Sequence, residues 1–226
     1  MAAPVLTETT LRNSVTPSHR AWVAVAVALV YLSTFHPSDW VRATAQAIAG
    51  PHPYAGVWIV IPHLLFYCTF TAVLAGACWL ALARAGAMAC PPLRISGSVL
   101  AWALIGGAAS VLASLVFLHA AGLGELRWIG VDGWKVAGNV FSNFFEEFIY
   151  RGFLLAGLAV LVGFWPAALL SSLAFGFGHD QYPLALQLFI AATSVGWCWL
   201  VRHSRSLWAA WGAHMIVDIV IDAIWG

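Results

Sequence analysis

Long apolar runs separated by short polar breaks are the dominant pattern along this chain of 226 residues. About 20 apolar residues allow a helix to cross the hydrocarbon core of a membrane, so such runs indicate membrane-spanning helices. Gly, Pro and charged residues cluster in the breaks, where they would end helices. The pattern predicts seven helices, at residues 21–35, 56–83, 98–118, 136–162, 167–177, 184–201 and 207–225.

The predicted fold class is therefore all-α: a polytopic membrane protein with about seven transmembrane helices and a polar intramembrane cavity. Residues 1–18 are polar, carry Arg12 and Pro17, and are expected to form a flexible N-terminal tail. Residues 19–226 are expected to form a single transmembrane helical domain. Its motif-bearing core is residues 136–226.

Composition excludes most classes of soluble protein. Hydrophobic residues make up 62% of the chain and charged residues only 8%, whereas about a quarter of a soluble domain is charged. The formal net charge of +1 gives no basis for a nucleic-acid partner. Four cysteines without metal-ligand spacing are interpreted as small core residues rather than disulfides or ligands: Cys68, Cys78, Cys90 and Cys198.

Basic residues are divided unevenly between the two sets of alternate loops. One set has six cations and the other has three, namely Arg42, Arg127 and Lys135. By the positive-inside rule, the richer set lies in the cytoplasm. We therefore expect an integral protein of a bacterial inner membrane, with a cytoplasmic N-terminus and an extracytoplasmic C-terminus. The six cations are Arg12, Arg20, Arg84, Arg94, Arg202 and Arg205.

Two adjacent carboxylates and an arginine interrupt the fourth apolar run. Glu147 and Arg151 are four residues apart, so they share a helix face and can pair. Glu146 points about 100° away and is left without that partner. A free carboxylate in a low-dielectric pocket holds a proton more tightly, as a general base working near neutral pH requires. The alternative is a structural ion pair that only locks two helices together.

The fifth and seventh runs bring further polar groups. Glycines precede His179 at the end of the fifth run, and small residues let a backbone or a substrate approach closely. His214 and Asp218 share one face of the seventh run, which Asp222 continues. Each set also has a structural alternative. His179 could be an interfacial histidine bonded to a carbonyl, and His214 with Asp218 could be a pair that holds two helices together.

Alternating helix directions place these groups at one depth. Glu146 lies about 15 Å from the outer end of its helix, at 1.5 Å per residue. His179 ends its own helix on the outer side, and His214 and Asp218 lie in the middle to outer part of theirs. Carboxylates and imidazoles that converge there can bind and activate water, with or without a metal.

The three groups also occur in a recognisable order on successive apolar segments, with one unmarked helix between the last two. This order resembles the three motifs of the CAAX protease and bacteriocin-processing family, which includes the type II CAAX prenyl endopeptidases and many bacterial Abi membrane proteins. The resemblance covers residues 136–225, whereas residues 1–135 match only as generic apolar helices. The motifs are Glu146-Glu147-x-x-x-Arg151, Phe175-x-x-x-His179 and His214-x-x-x-Asp218.

The resemblance implies an intramembrane endopeptidase of the glutamic type. Glu146, helped by His179, would be the general base that activates water for attack on the scissile carbonyl. His214 and Asp218 would stabilise the oxyanion. The supporting residues, which would shape the site or hold the substrate, are Glu147, Arg151 and Phe175.

Asp218 departs from the pattern of the prenyl-protein enzymes, which often have Asn at that position. An ionised Asp cannot donate a hydrogen bond to an oxyanion, so it would have to be protonated, orient His214 or ligate a metal. Two imidazoles and two carboxylates are also an acceptable zinc set. We expect no cofactor to be required, and a divalent metal such as zinc at Glu146, His179, His214 and Asp218 is the alternative.

A site in the outer half of the membrane suits a membrane-anchored protein or peptide that is cleaved near its C-terminus, such as a sorting tail or an exported peptide. A prenylated cytosolic protein would need the opposite opening. Two other functions stay open. Intramembrane Glu, His and Asp also build proton relays, which fits a small proton-coupled transporter. A non-catalytic immunity or scaffold protein could use the same frame.

Overall fold

Helices make up nearly all the regular structure in the part of the chain that is described. The computed structural model describes residues 15–35, 69–89 and 93–225. A π-helical turn, Phe148–Leu154, joins α4 to α5 into one continuous rod. These residues thus form seven helical rods and no strand, which confirms the all-α prediction. The helices are α1 Pro17–Phe35, α2 Thr69–Arg84, α3 Gly97–Ala120, α4 Gly133–Glu147, α5 Leu155–Val162, α6 Phe164–Phe177, α7 Leu184–Ser204 and α8 Leu207–Ile224.

Helix positions follow the apolar runs closely wherever the two can be compared. The helix α1 begins at Pro17, two residues inside the stretch predicted to be a tail. Residues 1–14 of that tail lie outside the described residues, as do residues 56–68 of the predicted second helix. Apolar run length was therefore a sufficient guide to the existence and order of these helices.

Three of the helices are long and apolar enough to cross a membrane: α3, α7 and α8. The helix α6 and most of α2 are shorter apolar helices. Large apolar side chains on α3, such as Leu104, Leu112 and Val116, are more than half exposed. A surface of that kind is suited to lipid rather than to water.

The helix predicted over residues 136–162 is present, but its centre is π-helical and not α-helical. Phe148–Leu154 is π-helical, and Arg151 lies in this wider turn. The neighbouring helix α6 supports the turn, because the hydroxyl of Ser171 donates a 2.6 Å hydrogen bond to the carbonyl of Tyr150. Single π-helical turns inside α-helices frequently occur at functional sites.

Local signals fix the helix ends near this turn. The carboxylate of Asp132 caps α4 by accepting from the N–H groups of Trp134, at 2.9 Å, and Lys135, at 3.3 Å. Gly163 separates α5 from α6 at a φ of 87°, a backbone conformation that glycine adopts without strain. These ends set the register in which α4 and α6 present their side chains.

Loops gather at the two ends of the bundle. At one end, the hydroxyl of Ser206 donates to the carbonyl of Arg94, so the α2–α3 connection meets the α7–α8 connection. At the other end, the N–H of Arg127 donates to the carbonyl of Ile224 at 2.9 Å, so the α3–α4 connection meets the end of α8. Alternate loops therefore lie on opposite ends, as the helix order predicts.

Two of the cysteines can be assessed. Cys198 is buried on α7, Cys78 is partly buried on α2, and both are free thiols. This agrees with their interpretation as small core residues. Cys68 and Cys90 lie outside the described residues.

The close contact of α6 with α7 depends on Gly176, as expected for a glycine that admits another backbone. A Cβ at this position would overlap the carbonyl oxygen of Gln187 and lie 2.7 Å from the Cβ of Ala191. Gly196, on the same helix pair, has nothing within 4 Å of its own hypothetical Cβ.

Gly176→Ala is expected to lower stability by about 1–3 kcal/mol, because backbone atoms must move apart to admit the methyl group. Gly196→Ala is the matched control and is expected to be neutral or stabilising by up to about 1 kcal/mol, since alanine is the better helix former. Thermal unfolding in detergent measures both variants. Equal midpoints for the two would contradict the tight approach of α6 to α7.

Candidate active site

A cavity of about 600 Å³ opens between α3, α4, α6, α7 and α8. The four residues predicted to be catalytic come from α4, the end of α6 and α8, and all of them line it: Glu146, His179, His214 and Asp218. Phe175, predicted as a supporting residue, lines it as well. The structure therefore brings these five side chains to one hollow.

Helical periodicity explains why these side chains share a wall. On α4, Asn139, Asn143 and Glu146 follow one another at spacings of four and three residues, which keeps them on one face. On α8, His214 and Asp218 are four residues apart and face the same hollow. The two stripes adjoin each other in the cavity wall, where Asn143 contacts Asp218 and Glu146 lies 4.0 Å from His214.

The imidazole of His214 is the centre of the site and has carboxylates around it. Its Nδ1 is 3.0 Å from Oε1 of Glu147. Its Nε2 is 4.0 Å from Oε2 of Glu146 and 3.7 Å from Oδ1 of Asp218. Trp197 packs on the imidazole ring, with 4.5 Å between ring centroids. The His–Asp pair predicted on α8 is therefore part of a larger polar group.

These contacts constrain the protons of His214. A carboxylate only accepts hydrogen bonds, so Nδ1 carries a proton towards Glu147. Nε2, the nitrogen beside the carboxylates of Glu146 and Asp218, then carries a proton only in the imidazolium form. Only that form can donate a hydrogen bond from Nε2 to a substrate oxygen.

Glu147 and Arg151 pair beneath the cavity wall, as their spacing predicts. Nη1 of Arg151 is 3.1 Å from Oε1 of Glu147, and the two side chains are 0% and 1% exposed. Neither is among the residues that line the cavity. Oε1 of Glu147 thus contacts both Arg151 and His214, so Glu147 links the buried cation to the imidazole.

Aromatic rings and a serine hold the guanidinium of Arg151. It lies over the ring of Phe175, at 4.1 Å from the centroid, and near that of Trp197, at 5.1 Å. Its Nη2 donates to the hydroxyl of Ser194 at 2.7 Å. Sequence interpretation missed Trp197 and Ser194 because both lie on α7, the helix without a motif. A serine and a tryptophan in an apolar run carry no distinctive signal.

His179 lies just beyond the end of α6. Its Nδ1 is 2.8 Å from the carbonyl oxygen of Phe175, which is the contact expected of a histidine that ends a helix. Glu146 makes an ion-pair contact with His214 at 4.0 Å. Among the described residues, no ion-pair contact joins Glu146 to His179. Help from His179 to Glu146 would therefore pass through a molecule held in the cavity.

Asn143 is a second site residue that sequence interpretation missed. Its side-chain amide donates a 2.8 Å hydrogen bond to Oδ2 of Asp218, and it lines the cavity although only 3% exposed. The available signal was its spacing, because Asn143 precedes Glu146 by three residues and so shares its face. This contact makes Asp218 a hydrogen-bond acceptor.

Lys135 and Asp222 form an ion pair at the rim of the cavity. Their charged atoms are 2.7 Å apart, and the side chains are 49% and 35% exposed. Trp225, which also lines the cavity, follows α8 at the end of the bundle away from Arg94 and Ser206. Asp222 thus belongs to the rim and not to the carboxylates around His214.

The zinc alternative can be compared with these positions. Within residues 15–35, 69–89 and 93–225, no group of three or more His, Cys, Asp or Glu side chains is placed to hold a metal ion. His214, one of the four supposed ligands, has Nδ1 engaged by Glu147. That no metal is required stays a prediction, with zinc as the alternative, and metal removal tests it.

A family model described as type II CAAX prenyl endopeptidase Rce1-like matches residues 133–220. Neither a curated protein nor a solved structure matches the chain significantly. The matched region starts with α4 and ends within α8, so it contains all three motifs and the whole constellation around His214. Residues 133–220 are therefore similar to the type II CAAX prenyl endopeptidases, a peptidase family, and helices long and apolar enough to cross a membrane lie on both sides of α6, as in an integral membrane protein.

Proposed function

We propose that the chain is an intramembrane endopeptidase of the glutamic type, which hydrolyses a peptide bond near the C-terminus of a membrane-anchored protein or peptide. One observation carries the proposal: Glu146, His179, His214 and Asp218 line a single cavity. The peptidase family of residues 133–220 supports the same reaction class. All seven rods would cross the bilayer, and α1 and α2 would help to enclose the site.

In the proposed reaction, the carboxylate of Glu146 takes a proton from a water molecule as the water oxygen attacks the scissile carbonyl carbon. His179, on the cavity wall, hydrogen-bonds that water through Nε2 and so holds it for attack. The carbonyl oxygen becomes an oxyanion, which accepts a hydrogen bond from Nε2–H of the His214 imidazolium. Collapse of the tetrahedral intermediate breaks the C–N bond, and Glu146 returns the proton to the leaving amine.

The role of Asp218 in this scheme is to orient His214. Of the three roles open to an aspartate here, the contacts favour orientation of His214, since the amide of Asn143 holds Oδ2 of Asp218 at 2.8 Å. The other oxygen is 3.7 Å from Nε2 of His214 and limits the position of the ring on that side. Asp218 thus contributes to oxyanion stabilisation through the imidazolium.

Asp218→Asn is expected to retain turnover to within about tenfold, because the amide oxygen still accepts from Asn143, whereas Asp218→Ala is expected to lose about 100-fold as the imidazolium loses its support. Turnover of both variants in membrane mimetics tests this. Asp222→Asn, at the rim, is the matched control with wild-type turnover. Equal losses in the Asn and Ala variants would contradict the orienting role.

The proposed orientation puts the N-terminus in the cytoplasm of a bacterial cell and the C-terminus outside. The rim with Lys135, Asp222 and Trp225 lies at the end of the bundle away from Arg94 and Ser206. The positive-inside rule then opens the cavity to the extracytoplasmic side. A substrate anchored in the membrane and processed outside the cell would enter from there.

Mass spectrometry of membrane proteins tests the function directly. Cells with the chain, without it, and with His179→Ala are compared for a protein whose C-terminus is shifted. The proposal expects a shortened terminus only in the first, both before and after strong chelation. Identical termini in all three would contradict the peptidase, and loss on chelation alone would favour the zinc alternative.

A further inference from the structure

A line of buried hydroxyl groups continues from Arg151 away from the cavity. The hydroxyl of Ser194 accepts from Nη2 of Arg151 at 2.7 Å and donates to the hydroxyl of Ser172 at 2.9 Å. The hydroxyl of Ser172 in turn is 3.6 Å from the thiol of Cys198. Ser172, Ser194 and Cys198 are all 0% exposed, and none of them lines the cavity. A substrate therefore has no direct contact with them.

The buried guanidinium of Arg151 needs hydrogen-bond acceptors, and the hydroxyl of Ser194 is one of them. Its guanidinium has five N–H donors but is 0% exposed, so its donors depend on protein partners. Its contact with Ser194, at 2.7 Å, is shorter than the 3.1 Å contact with Glu147. The rings of Phe175 and Trp197 lie beside the group, at 4.1 Å and 5.1 Å from its central carbon, and the hydrogen bond to Ser194 limits the rotation of its plane.

The rotation of this plane matters because its effect reaches His214 through one atom. Oε1 of Glu147 is 3.1 Å from Arg151 and 3.0 Å from Nδ1 of His214. If the guanidinium turns, the position and effective charge of that oxygen change, and the hydrogen bond to Nδ1 changes with them.

We propose that Ser194 and Ser172 are positioning residues for the peptidase site. The serine pair fixes Arg151, Arg151 fixes Glu147, and Glu147 sets the imidazole of His214. The expected effects on turnover rest on the proposed peptidase function, whereas the positions of these side chains do not. Both serines lie outside the three motifs: Ser194 is on the unmarked helix α7, and Ser172 is three residues before Phe175.

Ser194→Ala removes one hydroxyl and adds no bulk. It is expected to lower kcat by about tenfold through misplacement of the imidazole, with KM unchanged within about twofold. Ser172→Ala is expected to lower kcat less, because Ser194 can still accept from Arg151. The double variant is expected to be no worse than Ser194→Ala, since the two act in series.

Thr34→Val is the matched control. It removes a buried hydroxyl on α1 that donates to the carbonyl of Tyr31 at 2.7 Å and takes no part in the hydrogen bonds that join Arg151, Ser194 and Ser172. Its kcat is expected to equal that of the wild type. A loss of kcat as large as that of Ser194→Ala would mean that any buried hydroxyl has this effect, which would overturn the proposal.

Nitrogen-15 NMR of the histidine rings gives a readout that does not need turnover. The signals of His214 are assigned by their absence from His214→Gln. Ser194→Ala is expected to shift the Nδ1 signal, and Thr34→Val is not. If the Nδ1 signal shifts in Ser194→Ala but the wild-type protein cleaves no peptide, the proposed function is rejected and the positioning of His214 by the serines still holds. An unchanged signal, a kcat within twofold of the wild type, or a rise in KM as large as the loss of kcat would overturn the proposal.

Discussion

Glu146→Gln is expected to abolish peptide hydrolysis, with a loss of about 10³-fold or more, while the protein stays folded. The amide has the shape of the carboxylate but cannot take the proton of the attacking water, and general base catalysis contributes about 10²–10⁴-fold. Folding is expected to survive because the nearest charged atom of its partner His214 is 4.0 Å away and the side chain is 15% exposed. Turnover of a membrane-embedded peptide and thermal unfolding, both in nanodiscs, are the two measurements.

Two further variants make this result specific. Glu125→Gln removes the same charge from an exposed loop position and is expected to keep full turnover. Glu146→Asp keeps the charge but withdraws it by about one C–C bond, and a displacement of that size near the reacting atoms costs about 100-fold. A Gln variant that retains a tenth of wild-type turnover would remove Glu146 from the mechanism.

The competing functions predict different outcomes for the same variant. A proton-coupled transporter predicts substrate flux into liposomes that depends on Glu146, without any shortened peptide. An immunity or scaffold protein predicts normal expression and normal biological activity of Glu146→Gln. A Glu146→Gln variant that folds normally but no longer hydrolyses peptide fits neither the transporter nor the scaffold protein. This one variant therefore separates the three functions.

The helix order and the site residues were predictable because both depend on local spacing. Apolar run length placed the helices, and Gly163, at a φ of 87°, breaks the chain where the pattern predicted a break. A spacing of four put Glu147 beside Arg151 and His214 beside Asp218, and both pairs are close in the structure. Spacing along a helix determines such contacts before any tertiary structure is considered.

Residues that depend on contacts between helices were not predictable in this way. Ser194 and Trp197 acquire a role only because α7 packs behind the π-helical turn, which brings Ser194 to Arg151 and Trp197 to the ring of His214. The turn itself has no sequence signature in an apolar helix, since it depends on partners such as Ser171 of α6. Tertiary packing, and not local propensity, selects this geometry.

The position of Glu147 also changes how the first motif is understood. Spacing predicted one carboxylate tied to the arginine and one left free, and the structure has that division. The tied carboxylate is, in addition, the hydrogen-bond partner of His214 at 3.0 Å. The two adjacent acids thus have different surroundings. Glu146 lines the cavity, whereas Glu147 is buried outside it and accepts a hydrogen bond from Nδ1 of His214.

Arg151→Met is expected to lower stability by about 3–5 kcal/mol, because it removes the guanidinium from a buried carboxylate and leaves Glu147 with only the imidazole of His214 as a partner. Glu147 is 1% exposed, so water cannot replace the arginine. Methionine has nearly the length of the lost stem and can still pack between Phe175 and Trp197, so the loss reports charge rather than volume. Thermal unfolding in nanodiscs measures the effect.

Arg202→Met is the matched control. Arg202 also lies over an aromatic ring, that of Phe164 at 4.3 Å, but it is exposed on the last turn of α7. Exposed cation–π contacts contribute about 0.5–1 kcal/mol. A difference of less than 1 kcal/mol between the Arg151 and Arg202 variants would mean that the buried pair does not govern stability.

Glu147→Gln combined with Arg151→Met separates the structural part of this pair from its effect on the imidazole. The double variant buries no unpaired charge, so it is expected to regain most of the stability that Arg151→Met loses. The amide oxygen of the glutamine can still accept from Nδ1 of His214, but it no longer offers a negative charge to the imidazolium. Turnover is therefore expected to stay low in a stable protein. Recovery of both stability and turnover would show that the pair serves folding alone and that His214 does not need the charge of Glu147.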